Sequence, residues 1–180
     1  MITRGTTTDA PAGACAAPPY RVGTGVNETR SITVRREIPA SARQIFEVLT
    51  LPSRHKEIDG SGFVRGDDHA DRITGSGQMF RMNMTGDHMG GDYQTDNVVS
   101  GFEENSLIAW KPAPAGTEPP GWEWTWRLEP QGPGATSVSL TYDWSRVTDP
   151  ELLHKVRFPL VTEDQLEDSL GNLAAVTGAG

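Results

Sequence analysis

The chain has 180 residues, enough for one domain of ordinary size, with a formal net charge of −8 and a single cysteine. The acidic balance argues against general binding to nucleic acid or to anionic membrane, since both need clustered Lys and Arg. One thiol closes no intrachain disulfide, and no apolar run approaches the roughly 20 residues that span a bilayer.

Residues 10–19 are Ala, Pro, Gly and Cys, not the apolar core of a signal peptide. The expectation is a cytoplasmic protein without membrane insertion. Hydrophobic residues make up only 36% of the chain, beside 20 glycines and 13 prolines. Part of the chain is therefore expected to lie outside any core. Residues 1–28 are rich in Thr, Gly, Ala and Pro and have no period, so they read as a flexible tail that includes Cys15. Residues 29–180 read as one domain.

Structure is expected from Ser31. Ile32, Val34 and Ile38 suit a first strand, which Pro39 stops. Ser41 is an N-cap for a helix carrying Ile45, Phe46, Val48 and Leu49 on one stripe. Pro52 and Ser53 open a second short helix that ends near Asp59 and Gly60. Strands are then expected at 63–65, 78–85, 93–102 and 107–111, joined by short turns such as Gly90-Gly91 and Glu104-Asn105. The four prolines between Pro112 and Pro120 predict an irregular, exposed connection.

The next two strands carry the strongest signal. Trp122, Trp124, Trp126 and Leu128 share one parity, and Glu123, Thr125 and Arg127 share the other. Val138, Leu140, Tyr142 and Trp144 repeat the pattern after the Gly132-Pro133-Gly134 turn. A strand turns successive side chains to opposite faces, so four of the five tryptophans share one side of two neighbouring strands. That side either packs as a core or lines a cavity for an apolar ligand. Beyond a short turn of helix near 150–155, Thr162 and Gln165 form a capping box. Leu166, Leu170, Leu173 and Val176 then recur at helical spacing up to Gly178. This helix is the only element long enough to cover the apolar face of the sheet.

Several segments resemble the SRPBCC superfamily, the helix-grip fold of START domains, Bet v 1-like proteins and polyketide cyclases. Ile32 to Leu49 (ITVRREIPASARQIFEVL) is similar to its opening strand, proline and first helix. Leu51 to Asp59 (LPSRHKEID) is similar to its "D-P-x-x-x-P-x-W-D" helix, with Ile58 at the usual aromatic position and Leu51 at the usual acidic one. Phe102 to Trp110 (FEENSLIAW) resembles "F-x-P-x-x-x-I-x-W", and Leu128 to Leu140 (LEPQGPGATSVSL) resembles "L-x-P-x-G-x-G-T-x-V-x-L". The likeness covers roughly residues 31–177. It implies an α+β fold: a curved antiparallel sheet of about six to seven strands wrapped on a long C-terminal helix, with two short helices after the first strand. It also implies a hydrophobic cavity between sheet and helix, and usually no metal.

The expected cavity lining is Phe80, Met82, Met84, Trp110, Trp124, Trp126, Tyr142 and Trp144, capped by Leu166 and Leu170. Tyr93, Thr95 and Asn97 alternate in phase and would be polar groups inside that cavity if their phase faces inward. Arg81 is out of phase with its apolar neighbours and is placed outside. For proton transfer the first choice is His55 with Asp59. At four residues apart on a helix they would share a face, and a carboxylate beside an imidazole builds a general base. The alternative is that Asp59 and Ser61 bond backbone groups to shape the Gly-Ser-Gly turn. Asp87, His88 and Asp92 are too few to assure a metal site, and no phosphate loop, nucleophile elbow or dinucleotide fingerprint is present, so no cofactor and no metal are expected. Two functions stay open: binding of a hydrophobic or aromatic small molecule, and a cofactor-independent cyclase or dehydratase using the same cavity. A co-chaperone module is a weaker third. The expected partner is a hydrophobic small molecule, with the chain a monomer or a homodimer.

Overall fold

The computed structural model describes residues 30–178; the expected tail at 1–28 and Cys15 lie outside the described residues. Seven strands form one antiparallel sheet in the order β1-β7-β6-β5-β4-β3-β2. They are β1 (Ser31–Ile38), β2 (Val64–Asp67), β3 (Met79–Gly86), β4 (Gly91–Glu103), β5 (Leu107–Pro114), β6 (Glu123–Gly132) and β7 (Ala135–Asp143). Helices α1 (Ala42–Leu49) and α2 (His55–Ile58) follow β1, α3 (Pro150–Lys155) follows β7, and α4 (Glu163–Thr177) ends the fold. The sheet curls around α4, as in a helix grip.

Local chemistry sets these boundaries. Ser41 and Gln44 close a capping box at the start of α1, and Thr162 and Gln165 close one at α4. Alternation sets which strand face is buried. On β7 Thr136, Val138, Leu140 and Tyr142 are buried while their neighbours are partly exposed. On β6 Trp126 and Leu128 are buried and Arg127 is exposed. The core runs from this face onto α1 and onto Leu166, Leu170 and Leu173 of α4, all three at most 1% exposed. Gly60 seats the α2 turn on α4. Its N–H donates to Ser169 Oγ, and a Cβ there would overlap the Gln165 carbonyl oxygen and the Ser169 amide nitrogen.

Two expectations need correction. The chain beyond Lys111 is not an irregular connection from the start, because β5 continues through Pro112 and Ala113, both buried, to Pro114. The pairing explains how prolines fit a strand. β5 pairs with β6 only as far as Trp110, but with β4 as far as Pro114. Ala115 N–H donates to Gln94 on the β4 side. By alternation the N–H positions of residues 112 and 114 point to the side that β6 has left, where no donor is needed. The second correction concerns cover. α4 does not cover the concave face alone: Leu152, Val156, Phe158, Leu160 and Val161, from a strap at 145–161, also lie over it.

Candidate functional site

Between the concave sheet face, α4 and the strap lies a cavity of about 260 Å³. Strand alternation builds its floor. β3 contributes Phe80, Met82 and Met84; β4 contributes Tyr93, Thr95 and Asn97. β5 contributes Trp110, Pro112 and Pro114; β6 and β7 contribute Trp124, Trp126, Leu140 and Tyr142. Leu166 and Ser169 of α4 form the roof. Trp124 stacks on Tyr142 with ring centroids 4.3 Å apart and planes 12° apart, which makes a flat aromatic wall. Tyr93, Thr95 and Asn97 thus face inward, and Arg81 faces outward, where its guanidinium grips Asp96 at 2.7 and 2.9 Å. That ion pair holds the Asp96 carboxyl below its usual range.

Trp144 and Leu170, expected among the lining residues, are not on the cavity wall. Trp144 is 6% exposed and stacks on Phe158 of the strap. It also packs on Tyr142, so it backs two residues that line the wall. Leu170 is 1% exposed and belongs to the packed core. Residues that the sequence reading left out do line the wall: His88, Phe63, Trp122, Pro112 and the strap side chains. The strap carried no long periodic signal, and the proline run masked the end of β5.

His55 and Asp59 do not form a pair. α2 ends at Ile58, and Asp59 is extended (φ −70°, ψ 119°), so the helical spacing that would put the two on one face is not realised. The Asp59 carboxylate accepts from the Ser61 N–H at 3.0 Å, the Ser61 hydroxyl at 2.6 Å and the Val64 N–H at 2.9 Å. It shapes the turn, as the alternative reading had it. His55 is 6% exposed. Its ring is stacked on Trp110 (5.2 Å, 16°) and meets Phe80 edge-on (5.5 Å, 85°). Nε2 lies 2.8 Å from the Leu49 carbonyl, which only accepts, so Nε2 carries the proton. Burial pushes the imidazole pKa down, against the Leu49 hydrogen bond and the charge of Asp67. The ring is therefore neutral near pH 7, and Nδ1 is a bare acceptor.

At the other end, Met89, Lys155 and Pro114 line the cavity and are exposed, which marks its mouth. There His88 Nε2 meets the Tyr93 hydroxyl at 3.3 Å, and its ring packs on Phe63. Burial, with Asp59 nearby, pushes the Tyr93 phenol up to about 12; burial also raises that of Tyr142. Both phenols stay protonated near neutral pH. Among the described residues no three His, Cys, Asp or Glu side chains gather as a metal site, and no helix is long and apolar enough to cross a membrane.

No protein-family model matches the chain. An uncharacterized protein of Mycobacterium tuberculosis is 32% identical over 110 residues, covering 60% of this chain and 45% of that protein. The chain thus spans less than half the length of the curated relatives it matches. Among solved structures, a START superfamily protein from Mycobacterium smegmatis aligns with TM-score 0.55 and 16% identity, over 82% of this chain and 97% of that one. The Zhui aromatase/cyclase from Streptomyces sp. R1128 aligns with TM-score 0.58 and 16% identity, over 83% and 93%. At such identities the likeness is one of fold. With the seven-stranded curled sheet, the short helices after β1 and the gripping α4, the chain has a helix-grip fold, which it shares with these solved structures.

Proposed function

We propose that this protein binds a hydrophobic or aromatic small molecule in the cavity between the sheet, α4 and the strap. The observation that carries the reading is the cavity itself. It is walled by Trp, Tyr, Phe and Met side chains that leave about 260 Å³ open between the sheet and its cover, although apolar side chains would gain by filling that space. Its volume lies near the small end of ligand sites, roughly 300–1,000 Å³, which favours a small ligand over a long lipid.

Equilibrium dialysis against naphthalene tests the reading. The expected result is saturable uptake of one equivalent, lost in Met84→Trp, where a larger ring fills the cavity from a half-buried lining position. No saturable uptake, or uptake that Met84→Trp leaves unchanged, overturns it. Native mass spectrometry of the purified protein would reveal a co-purified ligand.

One observation favours a second reading, a cofactor-independent cyclase or dehydratase. His55 is a neutral imidazole on the cavity wall whose Nδ1 has no partner among the described residues, the form a general base takes. Asp59 has no part in it, since its carboxylate is committed to the turn. If a substrate is turned over, His55→Gln lowers the rate by ~100-fold or more; an unchanged rate removes His55 from that role.

A further inference from the structure

The inner end of the cavity is polar in one sense only. His55 Nε2 donates to Leu49, which leaves Nδ1 as an acceptor. On β4, the Asn97 amide nitrogen lies 3.2 Å from the Phe80 carbonyl oxygen, 3.4 Å from the Thr95 carbonyl oxygen and 3.2 Å from Thr95 Oγ1. Two of these partners are carbonyls that only accept, so the side chain is oriented with its nitrogen toward them and its oxygen free. Asn97 is 4% exposed, and its Oδ1 takes no hydrogen bond among the described residues. His55 and Asn97 both line the cavity and both flank Phe80: His55 meets its ring edge, and Asn97 is its register partner across β3 and β4. Among the described residues, Trp126 Nε1 alone is an unpartnered side-chain polar atom sealed from all space. Among the described residues His55 Nδ1 and Asn97 Oδ1 take no hydrogen bond yet are not sealed, and both side chains line the cavity.

Two bare acceptors set among Phe80, Trp110 and Met82 are costly unless something donates to them. We propose that the inner end of the cavity is a hydroxyl-reading subsite, in which His55 Nδ1 and Asn97 Oδ1 are acceptors for phenol or alcohol donors, one O–H to each, on an otherwise apolar ring ligand. This deepens the ligand-binding reading and rests on it. The subsite discriminates by hydrogen-bond direction. Each hydroxyl satisfies one acceptor; an ether, a ketone or a carboxylate sets acceptor against acceptor. A neutral hydroxylated ring is thus preferred over its methylated or ionised counterpart, because a site built to pair a hydroxyl leaves buried polar groups unpaired when the hydroxyl is missing.

The test compares three probes of one ring system by equilibrium dialysis at pH 7.5: naphthalene, 2-naphthol and 2-methoxynaphthalene. The expected result is that 2-naphthol binds roughly fivefold tighter than 2-methoxynaphthalene, the size of one net hydrogen bond. In His55→Phe that ratio falls toward one. Phe keeps a ring against Trp110 but has no acceptor, and thermal unfolding confirms that the variant is folded. Asn97→Leu, which removes the second acceptor, is expected to lower the ratio as well. If the unmutated protein binds 2-naphthol and 2-methoxynaphthalene equally, the subsite is overturned while cavity binding stands. If the ratio survives in both variants, these two residues are not the acceptors and the assignment is overturned. If none of the three probes binds, the cavity reading and the subsite fall together.

Discussion

The two ends of the cavity each carry a histidine, and they differ in almost everything but that. His55 sits at the inner end, 6% exposed, sandwiched by Trp110 and Phe80 and tethered through Nε2 to the backbone. His88 sits at the mouth in a turn between β3 and β4, half-buried beside the exposed Met89, with the Tyr93 hydroxyl as its partner. Burial lowers the pKa of both imidazoles. Only at the inner end is one ring nitrogen committed to a carbonyl, which settles the tautomer and leaves the other nitrogen free. A histidine's place in the sequence thus says little of its chemistry; what the opposite nitrogen bonds says most of it.

The comparison is easiest to break through the backbone that holds each end. Gly60 has no room for a side chain, because a Cβ meets the backbone of α4. Gly60→Ala is therefore expected to cost about 3 kcal/mol of stability in urea unfolding, since overpacking against backbone has no flexible neighbour to yield. At the mouth, Gly90 has φ +82° and open space around it. Gly90→Ala is expected to cost only about 1 kcal/mol, the penalty of a left-handed residue with a Cβ. Equal losses would contradict the picture of a rigid inner end and a loosely held mouth.

A smaller effect separates packed core from cavity wall. Leu170, buried behind the lining, is expected to lose about 3 kcal/mol on replacement by Ala. Met84, half-buried and facing the cavity, already lacks neighbours on one side and is expected to lose about 1 kcal/mol on the same change. A loss at Met84 as large as that at Leu170 would show that the cavity is closed in solution.

The smallest expected effect is on pH dependence. His55 has a folded pKa below its ordinary value of 6.5. As pH falls below 6.5 the unfolded chain takes up a proton that the folded chain resists, so stability present above that pH is lost on acidification. His88 is shifted in the same direction but is less buried, and Asp87 opposes the shift. The unfolding midpoint is therefore expected to fall between pH 6.5 and the folded pKa of His55. His55→Gln should flatten this limb more than His88→Gln does. The reverse order would show that the mouth histidine is the more constrained one.

Much of this frame was legible in the residues. The alternation through 122–128 and 136–144 placed Trp124, Trp126 and Tyr142 on one face, and Ser41 and Thr162 marked two helix starts. Parity also put Tyr93, Thr95 and Asn97 together, though not which way they faced; the tight pairing of Arg81 with Asp96 on the outer face shows it. The His55–Asp59 pairing failed because helical spacing binds only while the helix lasts. Ser61, through its N–H and hydroxyl, and Val64, through its N–H, offer the Asp59 carboxylate three donors, and that local bonding ends α2 at Ile58. The strap could not be read because Leu152, Val156, Phe158 and Leu160 have no common period. They are gathered by the cavity they cover, not by one element.

A hydroxyl-reading subsite requires His55 to present a neutral Nδ1 to a ligand hydroxyl. Long-range proton–nitrogen NMR of the histidine rings measures this directly. In the free protein at pH 7 His55 is expected as the Nε2–H tautomer, with an unprotonated Nδ1. The Nδ1 resonance is expected to move on saturation with 2-naphthol, in the direction of a nitrogen accepting a hydrogen bond, and to move less with 2-methoxynaphthalene. A charged His55 ring, an Nδ1–H tautomer, or an Nδ1 resonance unmoved at saturation with 2-naphthol would contradict the subsite.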